Sequence, residues 1–331
     1  MPLGVEVSMC SIQKDTTRRQ CEECPSRSVN EHHPVHNHCP LSERWGHKQK
    51  KKKEKTVRIS FVNVNGIGSY RGHEKSKGIR HYIQQMEIDV MGLAETNVNW
   101  GKVRSKDTLW DRTKSWAENR RIGVSFNTRQ TLVTPYQQGG TATIAFNDMA
   151  HRCKQSGFDS SGLGRWSWVL VSGTQNRVTR LVTVYVPQKN NKGINTVYSQ
   201  QIAHLKQDPI PIFWRDLAKL ITHWQQSGEQ LVIMGDRNED VTGPSLSSWM
   251  DTFGLKEAVT ATHGTNPPPT FHKGAQAIDG IFVSPSLVID KAGYLGFGDI
   301  PGDHRGIWID VPHTSSLDIK CRTSLWPPRD D

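Results

Sequence analysis

Six short segments of this chain gather side chains able to do chemistry at positions that read as strand ends. They are Asn63-Val64-Asn65-Gly66, Leu93-Ala94-Glu95-Thr96, Val184-Tyr185-Val186-Pro187, Gly235-Asp236-Arg237-Asn238, Ile278-Asp279-Gly280-Ile281 and Gly302-Asp303-His304. In an extended chain residues i and i+2 point to the same side. Asn63 with Asn65, and Asp236 with Asn238, therefore project together from one sheet edge. Carboxylate oxygens gathered at such an edge can hold a hard cation, which lowers the pKa of a bound water. A further carboxylate within hydrogen-bond reach takes that water's proton. An imidazole with a carboxylate on one nitrogen offers the other as a donor and is stabilised in its charged form. Asp279 with His304 supplies that pair.

Taken singly, each segment has a plainer explanation. Asn-x-Asn-Gly is more often a turn, and Gly-Asp-x-Asn a strand exit closed by an Asx turn. The ordered set of six carries the functional reading, because structural need alone rarely produces all of them in one chain.

The elements that must position these groups are legible around them. Val57–Asn63 alternates apolar and polar residues as a half-buried strand does. Glu74–Glu87 places Ile79, Tyr82, Ile83 and Met86 at helical spacing, and Asp89–Ala94 reads as a buried strand. Further strands are expected at Arg121–Phe126, Thr141–Phe146, Trp166–Val171, Arg180–Val186, Gln230–Met234, Ala277–Val283 and Gly306–Val311. Asn195–Gln226 reads as helical with an interruption at Asp208-Pro209-Ile210-Pro211. Many strands with few crossover helices favour two packed sheets flanked by helices over one parallel sheet.

Composition bounds the function. Lys and Arg outnumber Asp and Glu by 42 to 32 in 331 residues, a net charge of +10, which favours polyanionic partners. No apolar run is long enough to span a membrane. Of six cysteines, Cys10, Cys21, Cys24 and Cys39 lie near the N-terminus and Cys321 near the C-terminus. Only Cys153 falls in the patterned middle, so a reducing, intracellular setting is expected rather than a disulfide framework. Residues 1–55 are polar, end in the lysine-rich run Lys48–Lys55, and read as a flexible basic arm. Residues 312–331 read as a tail.

The ordered motifs resemble the endonuclease/exonuclease/phosphatase family, also called DNase I-like, in its exonuclease III and AP-endonuclease branch. Within that branch they are most similar to the endonuclease domains of non-LTR retrotransposons. Gly139-Gly140-Thr141-Ala142-Thr143-Ile144, Gly162-Leu163-Gly164-Arg165-Trp166 and Thr270-Phe271-His272 add to the likeness, which covers residues 56–311. The resemblance implies an α/β fold, a four-layered sandwich of two mainly antiparallel sheets flanked by helices. It also implies Mg²⁺- or Mn²⁺-dependent cleavage of a phosphodiester. Carried over residue by residue, Glu95 is the principal metal ligand, with Asn65 and Asp303 beside the metal. Asp236 orients and deprotonates the attacking water, and Asn238 holds that water and a phosphate oxygen. Asn63 supports the site by hydrogen bonding. His304, held by Asp279, contacts the scissile phosphate, and Tyr185 contacts the phosphate or leaving group.

Three positions depart from the family pattern. Arg237 stands where relatives place an apolar or aromatic residue. Its alternation points it into the sandwich, so it should either meet a carboxylate such as Glu239 or Asp240 or twist out to contact substrate. Gly302 replaces a common serine, and Asn65 is an aspartate in some repair enzymes. Among eleven tryptophans, Trp100 is the expected substrate contact, because it lies just past Glu95. Cys21, Cys24, His36 and Cys39 form a candidate tetrahedral Zn²⁺ set, with a His-rich polar segment as the plain alternative. The Lys48–Lys55 run reads as a nuclear address or a phosphate-binding arm.

The expectation is therefore a monomeric, Mg²⁺-dependent endonuclease domain of retroelement type acting on DNA. It would be nuclear in preference to cytoplasmic and would stand without a reverse transcriptase. A catalytically inactive nucleic-acid-binding relic and a phosphatase acting on a small phosphorylated substrate remain as alternatives.

Overall fold

The structure is a computed structural model that describes residues 43–313, apart from 71, 131–133, 174–176, 190–192 and 194. Cys21, Cys24, His36 and Cys39 lie outside the described residues, as does most of the C-terminal tail.

In chain order the strands are β1 (Trp45–Gly46), β2 (Thr56–Asn63), β3 (Val90–Ala94), β4 (Arg120–Ser125), β5 (Thr141–Phe146), β6 (Cys153–Phe158) and β7 (Trp166–Ser172). They continue with β8 (Val178–Tyr185), β9 (Gln230–Asp236), β10 (Lys256–Glu257), β11 (Asp279–Val283), β12 (Lys291–Tyr294) and β13 (Ile307–Pro312). They form two sheets, one in the order β1-β12-β13-β2-β3-β5-β4 and the other β10-β11-β9-β8-β7-β6. Pairing is antiparallel except between β2 and β3 and between β8 and β9.

Period-two alternation explains the layering. On β2, Val57, Ile59 and Phe61 face the other sheet, where Leu181, Val232, Met234 and Ile281 meet them. Val62 belongs instead to a second core with Ile79, Tyr82 and Ile83 of helix Glu74–Gln85. On the far side, Val182, Val184, Leu231 and Ile233 pack against Phe213, Leu217 and Ile221 of helix Pro209–Gln226. The result is helix, sheet, sheet, helix. β2 is buried along its whole length rather than on one face, because both of its faces are covered.

The Asp208–Pro211 interruption is a helix start. The Asp208 carboxylate accepts from the Ile210 N–H at 3.0 Å and Pro209 occupies the first turn, where its missing N–H costs nothing. The expected arm, by contrast, does not extend to residue 55. β1 pairs with β12, and Lys52 Nζ bonds the Asp89 carboxylate at 2.7 Å. Arg58 Nη1 donates to the Lys50 carbonyl at 2.8 Å, and Arg44 pairs with Asp299. Residues 43–55 thus belong to the folded unit. Their charges find partners brought near only by the fold, which local composition does not reveal. No helix among the described residues is long and apolar enough to cross a membrane.

Deleting residues 1–55 should therefore cost stability as well as charge. At about 2–4 °C per kcal/mol for a domain of this size, loss of the strand pairing and the Lys52–Asp89 contact should lower Tm by several degrees. An unchanged calorimetric Tm would show that the segment is not part of the cooperative unit.

Candidate active site

The register of the sheets assembles the site. In the second sheet Tyr185 is level with Asp236, and Asp236 with Asp279. In the first sheet Asn63 is level with Ala94, so Glu95 is the next residue out. The two strand ends meet through one side chain. Asn63 Nδ2 donates to Glu95 Oε1 and to Asp236 Oδ2, each at 2.8 Å. Its Oδ1 accepts from the Asn65 N–H at 3.0 Å.

The loops leaving these strands turn sharply. Asn65, Glu95, Asn97 and Asn238 have φ of 42°, 48°, 52° and 50°. Such a conformation costs a non-glycine residue about 1–3 kcal/mol unless its surroundings enforce it. Here they do. The Gly66 N–H donates to the Glu95 carbonyl at 2.7 Å, and the Gly139 N–H to Asn97 Oδ1 at 2.7 Å. The Asn238 N–H donates to Asp236 Oδ1 at 2.8 Å, the Asx turn expected of a Gly-Asp-x-Asn exit.

A cavity of about 240 Å³ opens over these ends, lined by Asn65, Glu95, Tyr185, Asp236, Asn238, Asp303 and His304. All the strand-end residues singled out from sequence therefore converge, with Asn63 and Asp279 buried directly behind them. His304 Nδ1 bonds Asp279 Oδ2 at 2.7 Å. Thr270 Oγ1 accepts from the Ile278 and Asp279 N–H groups at 2.9 and 3.1 Å, and its carbonyl accepts from Arg305 N at 2.7 Å. Phe271 lies 5.0 Å from the His304 ring. Asn238 Nδ2 donates to the Val186 carbonyl at 2.7 Å, using one of its two N–H groups.

Burial and crowding of like charges set the electrostatics. Burial, then the neighbouring Asp279 and Glu95 charges, raise the Asp236 carboxyl to about 7, with His304 opposing. Burial works against charge on His304, but the charge and hydrogen bond of Asp279, with Asp236 and Asp303 nearby, hold it up at about 10. Burial, followed by the Glu95 and Asp236 charges, pushes the Tyr185 hydroxyl far above its usual range, so it stays a proton donor.

Two sets of residues could hold a cation. Ligand atoms of Asp236, Asp279 and His304 lie within 4.8 Å of one another. In that set His304 would have to ligate through Nε2 as a neutral ring, whereas its bond to Asp279 holds it protonated, with no lone pair to give. Glu95, Asn65 and Asp303 offer oxygens on one cavity wall, and Asp303 Oδ1 is buried with no hydrogen-bond partner. An all-oxygen donor set with an unanswered anionic oxygen fits a hard divalent cation. Asn65 Nδ2 donates to Asp303 Oδ2 at 2.8 Å, a bond that an aspartate at 65 would replace with repulsion.

Two expected substrate contacts are corrected. Trp100 is half-buried in the helix-side core and does not line the cavity; Tyr136, Tyr198 and Phe271 supply its aromatic surface. Phe271 lies within the Thr270-Phe271-His272 motif. Tyr136 sits on a loop with no periodicity to mark it, and Tyr198 is in the first turn of helix Val197–Leu205, within the stretch read as helical but at a position the helical reading does not single out. Arg237 is 1% exposed and lies inside the sandwich. It donates to the carbonyls of Gly235, Gly280 and Ile233 at 2.7, 3.1 and 3.0 Å, over the Phe282 ring at 4.4 Å. The carboxylate whose charge bears most on it is Glu257, not Glu239 or Asp240. Gly302 is explained by close approach, because a Cβ there would lie 2.7 Å from the Asn63 carbonyl oxygen.

With this geometry in hand, the comparisons are specific at the level of family. The model of the endonuclease/exonuclease/phosphatase family matches residues 61–304, and the chain belongs to that family. Its members are hydrolases acting on phosphoesters and generally use divalent metals. No curated protein sequence matches. The fold is similar to that of the human Nocturnin catalytic domain, at TM-score 0.56 and 16% identity over 82% of this chain and 97% of that one. It is also similar to the Xenopus laevis APE2 catalytic domain, at 0.52 and 16% over 77% and 92%. An AP endonuclease from Archaeoglobus fulgidus gives 0.52 and 14% over 80% and 100%.

The Arg237 environment yields a stability test. Arg237→Met should leave the Gly235, Gly280 and Ile233 carbonyls without this donor and destabilise the fold in urea melts, at about 1–3 kcal/mol for each buried group left unsatisfied. An unchanged urea midpoint would refute that role.

Proposed function

We propose that the chain is a Mg²⁺- or Mn²⁺-dependent phosphodiesterase that cleaves DNA as an endonuclease. The observation that carries this reading is the Asn63 amide bonded at once to Glu95 and Asp236, beside the Asp279–His304 pair in one cavity. Glu95, Asn65 and Asp303 are the groups that would hold the cation. When bound, it would supply positive charge against the developing negative charge of the phosphoryl oxygens.

Each remaining role follows from the chain's own atoms. Asp236 takes the proton of the attacking water, and its raised pKa makes it a base matched to neutral pH. Asn238 orients that water through the donor and acceptor positions left after its bond to Val186. His304, kept cationic by Asp279, donates through Nε2 to a non-bridging phosphate oxygen. Tyr185 remains protonated beside Glu95 and donates to the phosphate or the leaving oxygen. Asn63 keeps two carboxylates at working distance. The net charge of +10 supports a polyanionic substrate over a small one.

Supercoiled plasmid should be nicked with Mg²⁺ and left intact with EDTA; an intact plasmid under both conditions favours the inactive relic. Asp236→Ala and His304→Ala should each lower the nicking rate at least a hundredfold, about 2.7 kcal/mol, with unchanged circular dichroism. Glu95→Gln should move the Mg²⁺ titration to higher concentration, and an unmoved curve would place the metal elsewhere.

The pH profile has a sign set by the pair. Activity should rise through about 7 as Asp236 loses its proton and fall toward about 10 as His304 loses its own. Asp279→Asn removes the charge that holds His304 up, so the alkaline limb should move down toward the ordinary histidine range near ~6.5. An alkaline limb that stays in place would assign it to another group.

A further inference from the structure

A second cavity, of about 170 Å³, lies against helix Glu74–Gln85 and shares no residue with the first. Ser76, Lys77, Arg80, Arg112, Ser115 and Trp116 stand in its wall, and no carboxylate does. Gln84 Nε2 donates to the Ser115 and Trp116 carbonyls, each at 3.2 Å, which ties the helix to the opposite wall.

Arg112 gives this cavity its chemistry. It is 1% exposed. Nε donates to the Asp107 carbonyl at 2.7 Å and Nη1 to the Gly68 carbonyl at 2.6 Å, while Nη2 is buried with no partner. The Trp100 ring covers one face of the guanidinium at 5.2 Å. Among the other buried arginines, Arg58, Arg165 and Arg180 are answered by the carboxylates of Asp310, Asp159 and Glu229, whereas Arg237, like Arg112, donates to backbone carbonyls. Near Arg112 the Asp107 carboxylate is bonded to Arg104 instead. On the rim, Arg80 is exposed and forms no ion pair among the described residues. Lys77 pairs only with exposed Glu74, a contact worth little in water. Two arginines and a lysine therefore line the cavity with two hydroxyls, and the carboxylate that bears on Arg112, Asp107, is bonded to Arg104. Planar guanidinium donors beside hydroxyls are the complement of a phosphate's oxygens.

We propose that this cavity is a phosphate subsite, with Arg112 as its floor and Arg80 and Lys77 as its rim. Arg112 grips the Gly68 carbonyl, which ties the subsite's floor to the chain segment that leaves Asn65. The occupant is a phosphate group, either in the backbone of a bound nucleic-acid strand or free in solution. Only the first source rests on the nuclease reading.

The test is calorimetric titration of inorganic phosphate into the full chain without Mg²⁺, together with duplex binding by fluorescence anisotropy across a salt series. Wild type should bind phosphate, and Arg80→Glu/Ser115→Glu should bind it at least tenfold more weakly. Arg112→Lys, which keeps the charge and loses the fork, should also weaken it; should that variant misfold, the rim variant still decides. If the subsite serves a strand, the rim variant's log–log salt slope should shrink by roughly one per lost phosphate contact. An unchanged slope with lost phosphate binding assigns the subsite to free phosphate. Equal phosphate affinity in wild type and a folded rim variant overturns the proposal. Absence of plasmid nicking leaves the phosphate titration unaffected, so the two readings fail separately.

Discussion

The site depends on one amide that belongs to both sheets. Asn63 ends a strand of the first sheet, yet its side chain reaches Asp236 in the second and Glu95 beside it. Two carboxylates at this separation repel, and burial adds to the cost of ionising Asp236. A carboxamide answers both with hydrogens while adding no charge, and its oxygen in turn fixes the Asn65 backbone. Lysine would cancel one of the two charges, and an apolar residue would leave Glu95 Oε1 and Asp236 Oδ2 without this donor. Everything else in the site is registered to this bridge. The parallel β8–β9 pairing sets Tyr185 beside Asp236, and the antiparallel β9–β11 pairing sets Asp279 beside it.

The sequence made the strand-end residues legible because strand alternation and turn chemistry are local. Asn-Val-Asn-Gly and Gly-Asp-Arg-Asn announce both the exit from a strand and the side on which polar groups emerge. What stayed hidden depends on partners far along the chain. Lys52 reads as one of many solvated lysines until the fold sets Asp89 beside it. β6 and β12 lack the apolar density of a central strand and exist because a neighbouring strand offers its edge. Tyr136 borders the cavity from a loop, where no period marks a residue as facing anything, and Tyr198 from the first turn of a helix, where the period does not show which residue meets the cavity.

Arg237 and Gly302 show why departures from a family pattern need a structure to interpret. Alternation did place Arg237 inward, but the three carbonyls that receive it belong to strands packed around it, and Glu257 comes from another element altogether. An arginine there is an interior solution that leaves the cavity unchanged. Gly302 likewise answers a distance, since the Asn63 carbonyl leaves no room for a side chain beside the residue on which the site is built.

Charge is distributed in two opposed tiers. The chain as a whole is strongly basic, which draws polyanions toward its surface. At the bottom of the cavity the balance reverses, with Glu95, Asp236, Asp279 and Asp303 against the single His304 imidazolium. A bare phosphate would be repelled by that floor, whereas a small hard cation would be drawn to it. Burial and the same floor raise the proton affinity of Asp236 and Tyr185, and the floor's carboxylates hold His304 protonated against its burial, so one cluster shifts the base and both donors in the same direction. A basic exterior to gather the substrate and an acidic floor to gather a cation are complementary only if both ligands are present together. On the proposed reading, the two tiers would make the cation and the phosphate mutually dependent occupants of one site.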